Sequence, residues 1–156
     1  MTYNNKNLQV KKWKYFKTTL IVLSILVFLY LIFLFPANEK VKRKLYLIEK
    51  EVVKKGYDPN WVTISEKRGK IYNSILPLSS KSSNHLSGKA IDIYVLDING
   101  DGIFNNIDIS IIENACNEVE KQNPELIGSF GTYITKGYFS KHMIHIDVTG
   151  IKKRYR

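Results

Sequence analysis

Residues 18–35, TTLIVLSILVFLYLIFLF, form an unbroken run without a charged side chain. As a helix rising 1.5 Å per residue, the run would reach about 27 Å, close to the hydrocarbon thickness of a bilayer. A secretory signal peptide has a shorter apolar region, roughly 7–15 residues, followed by a small-x-small cleavage site. Pro36-Ala37-Asn38 does not supply one. The run therefore predicts a single transmembrane signal anchor, with a tail of residues 1–17 on one side and one domain on the other. The tail holds Lys6, Lys11, Lys12, Lys14 and Lys17 and no acidic residue. Lys40, Lys42, Arg43, Lys44 and Lys50 come after the span, so the positive-inside count is nearly balanced. The short, purely basic tail favours a cytoplasmic amino terminus. The basic cluster beyond the span is then placed to lie against anionic head groups or wall polymers, unless it is simply a solvated helix face.

The chain beyond the span is long enough for one domain of about a hundred residues with one modest core. Residues 38–56 read as a juxtamembrane helix: Val41, Leu45, Ile48 and Val52 recur at helical spacing, and Gly56 and Pro59 end it. Trp61-Val62-Thr63-Ile64-Ser65 is a short strand, Glu66-Lys67-Arg68-Gly69 a turn, and residues 76–82 a polar linker. Ile91, Ile93 and Val95 alternate with Asp92 and Tyr94, the period of a half-buried strand. Ile144, Ile146 and Val148 alternate in the same way with Met143, His145 and Asp147. Between them, Ile111, Ile112, Ala115, Cys116 and Val119 mark the apolar face of a helix that runs from Asp108 to about Gln122. Pro124 and Gly128 break it, and residues 128–134 lead into another strand. The expected fold class is α+β: a small antiparallel sheet with helices on one side. Residues 151–156 read as a basic tail whose sequence carries no functional motif. The single cysteine rules out an internal disulfide. The net charge of +10 fits an anionic partner, but the lysines are dispersed and no RNA- or DNA-binding motif accompanies them, so nucleic acid is not expected.

The chemistry concentrates in Ser83-x-His85-x-x-Gly88-x-Ala90-x-Asp92. A loop imidazole and a strand carboxylate, meeting across a turn that glycine permits, supply two ligands of a zinc site; His145 on the later strand offers a third. Three protein ligands and an open position for water are the pattern of a catalytic zinc. Asp147 shares a strand face with His145 and is placed to orient it.

The first motif, with His145-Ile146-Asp147 some fifty residues later, resembles the zinc D-Ala-D-Ala carboxypeptidases and murein endopeptidases of bacterial cell walls, in the branch whose last motif reads His-Ile-Asp. The resemblance covers roughly residues 57–150. It implies a Hedgehog/DD-peptidase-like fold, zinc on His85, Asp92 and His145, and hydrolysis of amide bonds in peptidoglycan stem peptides or cross-links. It also implies an extracytoplasmic domain at the cell membrane. Ser65 and Arg68 match a Ser-Gly-x-Arg-like motif whose arginine helps hold the peptide, although Glu66 stands where glycine is usual. Ser83 would stabilise the loop or a ligand, and Tyr133 would steady an oxyanion. The family places Glu or Asp three residues before the last ligand, or His two before it. Here those positions are His142 and Met143, so His142 is the candidate proton acceptor. A catalytically silent, wall-binding domain of the same fold stays open, as does a calcium-dependent interaction module.

The calcium expectation rests on residues 97–108. Oxygen side chains stand at loop positions 1, 3, 5, 9 and 12 (Asp97, Asn99, Asp101, Asn105 and Asp108), with Gly102 at position 6 and the Ile103 carbonyl at position 7. The loop resembles those of EF-hands and dockerins, with Asp rather than Glu at position 12. The alternative is an Asx-turn hairpin leading into an Asp-capped helix, which needs no ion.

Overall fold

The computed structural model describes residues 13, 15–28, 37–76, 79–133 and 140–155. The chain divides into two units, residues 1–34 and 35–156. In the first, residues 15–28 form helix α1, whose apolar side chains, among them Leu20, Leu23, Ile25 and Leu26, are exposed. Thr19 and Ser24 return their hydroxyls to the carbonyls of Tyr15 and Leu20, so neither hydroxyl is left without a partner on this apolar surface. Among the described residues no helix is long and apolar enough to cross a membrane. Residues 29–36, over which the expected span continues, lie outside the described residues, as do residues 1–12 of the tail.

The second unit is α+β. Its elements are α2 (Glu39–Lys54), β1 (Trp61–Ser65), α3 (Lys70–Ile75), β2 (Ala90–Val95), α4 (Asn106–Gln122), β3 (Ser129–Thr132), β4 (Met143–Asp147) and β5 (Lys153–Tyr155). The strands lie in the order β1-β2-β4-β3-β5. All neighbours are antiparallel except β3 and β5, so the sheet is mixed rather than antiparallel. The correction comes from the supposed basic tail: residues 153–155 add a fifth strand. Three residues are too few to display an alternation, and their pairing with β3 is invisible to local pattern.

The helices and the apolar face of the sheet make the core. Val41, Ile48 and Val52 of α2 and Ile109, Ile112, Ala115, Cys116 and Val119 of α4 pack with Ile91, Ile93, Val95, Phe130, Ile144 and Ile146. Each large aliphatic side chain so buried contributes roughly 1.5–3 kcal/mol. Asn38 caps α2 by accepting the Lys40 N–H (2.9 Å), while its own N–H donates to the Gly88 carbonyl (2.7 Å) and pins the helix start to the loop before β2.

One member of the basic cluster departs from the expected surface position. Lys44 is fully buried, whereas Leu45 is only partly so. The buried stripe of α2 is Val41, Lys44, Ile48 and Val52. Lys44 Nζ donates to Glu120 Oε1 (2.7 Å) and to the Asp147 carbonyl (2.7 Å). Glu120 also accepts from the Gly128 N–H (3.1 Å) and from Arg154 of β5 (2.5 Å). Burial would raise the Glu120 carboxyl, but Lys44 and Arg154 outweigh it and hold the group below its usual range.

Candidate metal centre

The strand registers place five residues in one line across the sheet. Ser65 stands opposite Asp92, Asp92 opposite His145, His145 opposite Gly131, and Gly131 opposite Tyr155. Residues directly opposite one another share a face, so the row lies on the side of the sheet away from α2 and α4. A shift of register in β1 after Thr63 is what brings Ser65 opposite Asp92. His85 enters from the loop before β2, where Gly88 (φ 70°) makes the left-handed turn that a side chain would resist.

His85, Asp92 and His145 are all buried, and a ligand atom of each lies within 4.8 Å of the others. They are the one such group of three or more histidine, cysteine or acidic residues among the described residues. The hydrogen bonds around them fix their roles. His85 Nδ1 lies 2.7 Å from the Glu66 carbonyl, which can only accept, so Nδ1 carries a proton and Nε2 is the nitrogen turned to the site. That Nε2 stands 3.1 Å from Asp92 Oδ1 without the alignment of a hydrogen bond, and it has no hydrogen-bond partner among the described residues. A buried ring nitrogen left without a partner beside a carboxylate oxygen is costly unless a cation lies against both.

His145 Nδ1 is 2.9 Å from Asp92 Oδ1 and its Nε2 is 3.4 Å from Asp147 Oδ2. Burial opposes the imidazolium, but hydrogen bonds to Asp147 and Asp92, with their charges, win and push its pKa up to about 9. The same contacts, against the opposing effect of burial, hold both carboxyls well below the usual range. Asp147 is fixed further by the Ser129 N–H (2.7 Å), the Thr149 hydroxyl (2.8 Å) and the Asn84 amide (2.9 Å). Asn84, to which the sequence pattern gives no role, thus ties the His85 loop to β4.

Chelator-treated protein should therefore lose stability as pH rises. The folded pKa of His145 is about 9 and its ordinary value about 6.5, so its contribution to stability is full below pH 6.5 and lost as pH rises through 9. Thermal denaturation from pH 6 to 9.5 is expected to show a falling Tm that His145→Gln flattens. Metal-loaded protein is expected to show the opposite slope, since a coordinating imidazole nitrogen must first lose its proton.

The other expected site residues take different places. The Arg68 guanidinium pairs with Asp92 Oδ2 through Nη2 and donates from Nε to Ser65 Oγ (2.7 Å). Ser83 Oγ accepts the backbone N–H of His85 at 3.4 Å, within the loop that carries this ligand. His142 is not brought into the converging group. Its ring stacks between Tyr94 (5.0 Å) and Phe104 (4.1 Å), and its Nδ1 donates to the Val95 carbonyl (2.9 Å). Tyr133 lies near Asp92: burial, then the charge of Asp92, keeps its phenol protonated.

The loop of residues 97–108 closes through its own hydrogen bonds. Asp97 accepts the N–H groups of Gly100 (2.8 Å) and Gly102 (2.6 Å), and Asp101 accepts that of Ile103 (2.9 Å). The Asn99 amide donates to Asp101 (2.9 Å), and the Asn105 amide donates to Asp101 (3.3 Å) and to the Ile103 carbonyl (3.4 Å). Asp108, expected as the position-12 ligand, is fully buried and caps α4. Its Oδ1 accepts from Ile98 N (2.8 Å) and Asn99 N (3.2 Å), its Oδ2 from Asn105 N (2.7 Å).

Fold and site together define an α+β domain with a buried centre of two histidines and one carboxylate, able to hold a metal ion. No protein-family model matches the chain, and no curated protein or solved structure matches it.

Proposed function

We propose that this chain is a zinc-dependent peptidase of the bacterial cell wall, anchored by residues 18–35 with its domain outside the cytoplasm, which hydrolyses amide bonds in peptidoglycan stem peptides or cross-links. The observation that carries the reading is the buried, unpartnered His85 Nε2 beside Asp92 and His145. Two imidazole nitrogens and one carboxylate oxygen suit zinc better than the hard cations, which prefer oxygen alone. Zinc held there supplies a Lewis acid and a bound water acidified to a pKa of roughly 7.

The chain's own residues prepare that site. Glu66 fixes the His85 tautomer and Asp147 orients the His145 ring. Arg68 occupies Asp92 Oδ2 and so leaves Oδ1 to the side where the two imidazoles converge. His142, locked in its aromatic stack, favours a second reading: a silent wall-binding domain that keeps the metal. The full chain in detergent, incubated with purified peptidoglycan and zinc, is expected to release new peptides that chelation abolishes, read by mass spectrometry. One equivalent of bound zinc with no products would move the reading to the silent domain.

Calcium in residues 97–108 is proposed as a second, weak ion. With a Kd of about 1 mM, at the weak end for such loops, 10 mM calcium would stabilise the fold by about 1.4 kcal/mol. A Tm rise of several degrees is the expected result, abolished by Asp97→Asn. An unchanged Tm leaves the loop as a metal-free turn.

A further inference from the structure

The transverse row ends on a residue to which the metal-binding pattern assigns nothing. Tyr155 stands opposite Gly131, which stands opposite His145, so the three share the face of the metal centre. A Cβ built on Gly131 would overlap the Tyr155 ring, at its hydroxyl-bearing end and along one edge. The phenol ring therefore lies against the Gly131 backbone, its centroid 6.5 Å from that of the His145 ring. Glycine at 131 answers a need for space, since any side chain there would lift the ring from the sheet.

The position of Tyr155 is built into the fold. The neighbouring Arg154 points to the opposite face and is held by Glu120 (2.5 Å), Asn117 (2.8 Å) and the Gly128 carbonyl (2.9 Å). These contacts fix β5 and, with it, the direction of the next side chain. Of the residue, 42% is exposed, which leaves it accessible to a ligand.

We propose that Tyr155 is a substrate-positioning residue of the metal centre, its phenol O–H donating a hydrogen bond to the carbonyl oxygen of an acyl group held beside His145. The assignment rests on the peptidase reading, and its test is arranged to outlive that reading. In the full chain, Tyr155→Phe removes the hydroxyl alone, and Gly131→Ala displaces the ring without touching it chemically. Zinc-loaded wild type and both variants are titrated with acetohydroxamate by calorimetry, and their cleavage of peptidoglycan peptides is measured. Zinc stoichiometry is expected to stay at one. Hydroxamate affinity is expected to fall about fivefold, the loss of one hydrogen bond. kcat is expected to fall by about 10²-fold with KM nearly unchanged, the mark of a donor that acts as charge develops. Wild-type affinity and wild-type kcat in zinc-loaded Tyr155→Phe would overturn the assignment, as would a wild type that binds no hydroxamate. A wild type that cleaves nothing removes the peptidase reading and leaves the hydroxamate titration to decide Tyr155.

Discussion

Lys44→Met is expected to destabilise the domain by about 3 kcal/mol, measured by urea denaturation of chelator-treated protein. Removing one partner of a buried ion pair typically costs about 3–5 kcal/mol, because the other charge stays buried without compensation. Here Glu120 keeps Arg154, which sets the expectation at the low end. Lys44 also donates to the Asp147 carbonyl, and that acceptor loses its ammonium partner in the same substitution. Against a total stability of about 5–15 kcal/mol for a domain of this size, the loss is a large fraction. Stability unchanged within about 0.5 kcal/mol would show that the methylene chain of Lys44, and not its charge, holds α2 on α4.

The second large effect is on metal binding. His85→Ala and His145→Ala are each expected to reduce bound zinc from one equivalent to less than about a tenth, since three protein ligands are the minimum of such a site. Stability supplies the quantitative readout. A metal present at about a thousandfold its Kd stabilises the folded state by about 4 kcal/mol. Wild type should therefore melt several degrees higher in zinc than in chelator, and the two variants should show no difference. His85→Ala is the cleaner of the two, because His145 also bridges Asp92 and Asp147 when no metal is bound. One equivalent of zinc retained in both variants would place the ion elsewhere.

The parts of this fold that announce themselves in the sequence are those whose signal is local. Strands β2 and β4 show as alternation, because one face meets the helices and the other meets the site. α2 and α4 show as helical stripes, and the Gly88 turn shows as a glycine between two ligands. The parts that stay hidden depend on partners far along the chain. Lys44 looks like any surface lysine until Glu120 arrives beneath it, 76 positions later. The partners of Arg68 and His142 are likewise remote in the chain: Asp92 meets the Arg68 guanidinium, and Tyr94 and Phe104 stack on the His142 ring. Asp108 illustrates a different obstacle. An aspartate at the last position of a calcium-type loop and an aspartate at the third position of a helix have the same local sequence, so only the hydrogen bonds of the folded chain tell them apart.

The order of strands also governs when the site can come into being. β4 lies between β2 and β3, yet it leaves the ribosome after both. Until it arrives the sheet exists as separate pieces, and His85 and Asp92 wait for His145 through some sixty further residues of synthesis. At about 5–20 residues per second that interval lasts several seconds. Two donors on a half-made sheet would grip a metal weakly, whereas insertion of β4 between β2 and β3 supplies the third ligand and joins the two pieces in the same event, before β5 adds to β3. A nascent chain would therefore hold its full set of three ligands only once β4 has been made and inserted.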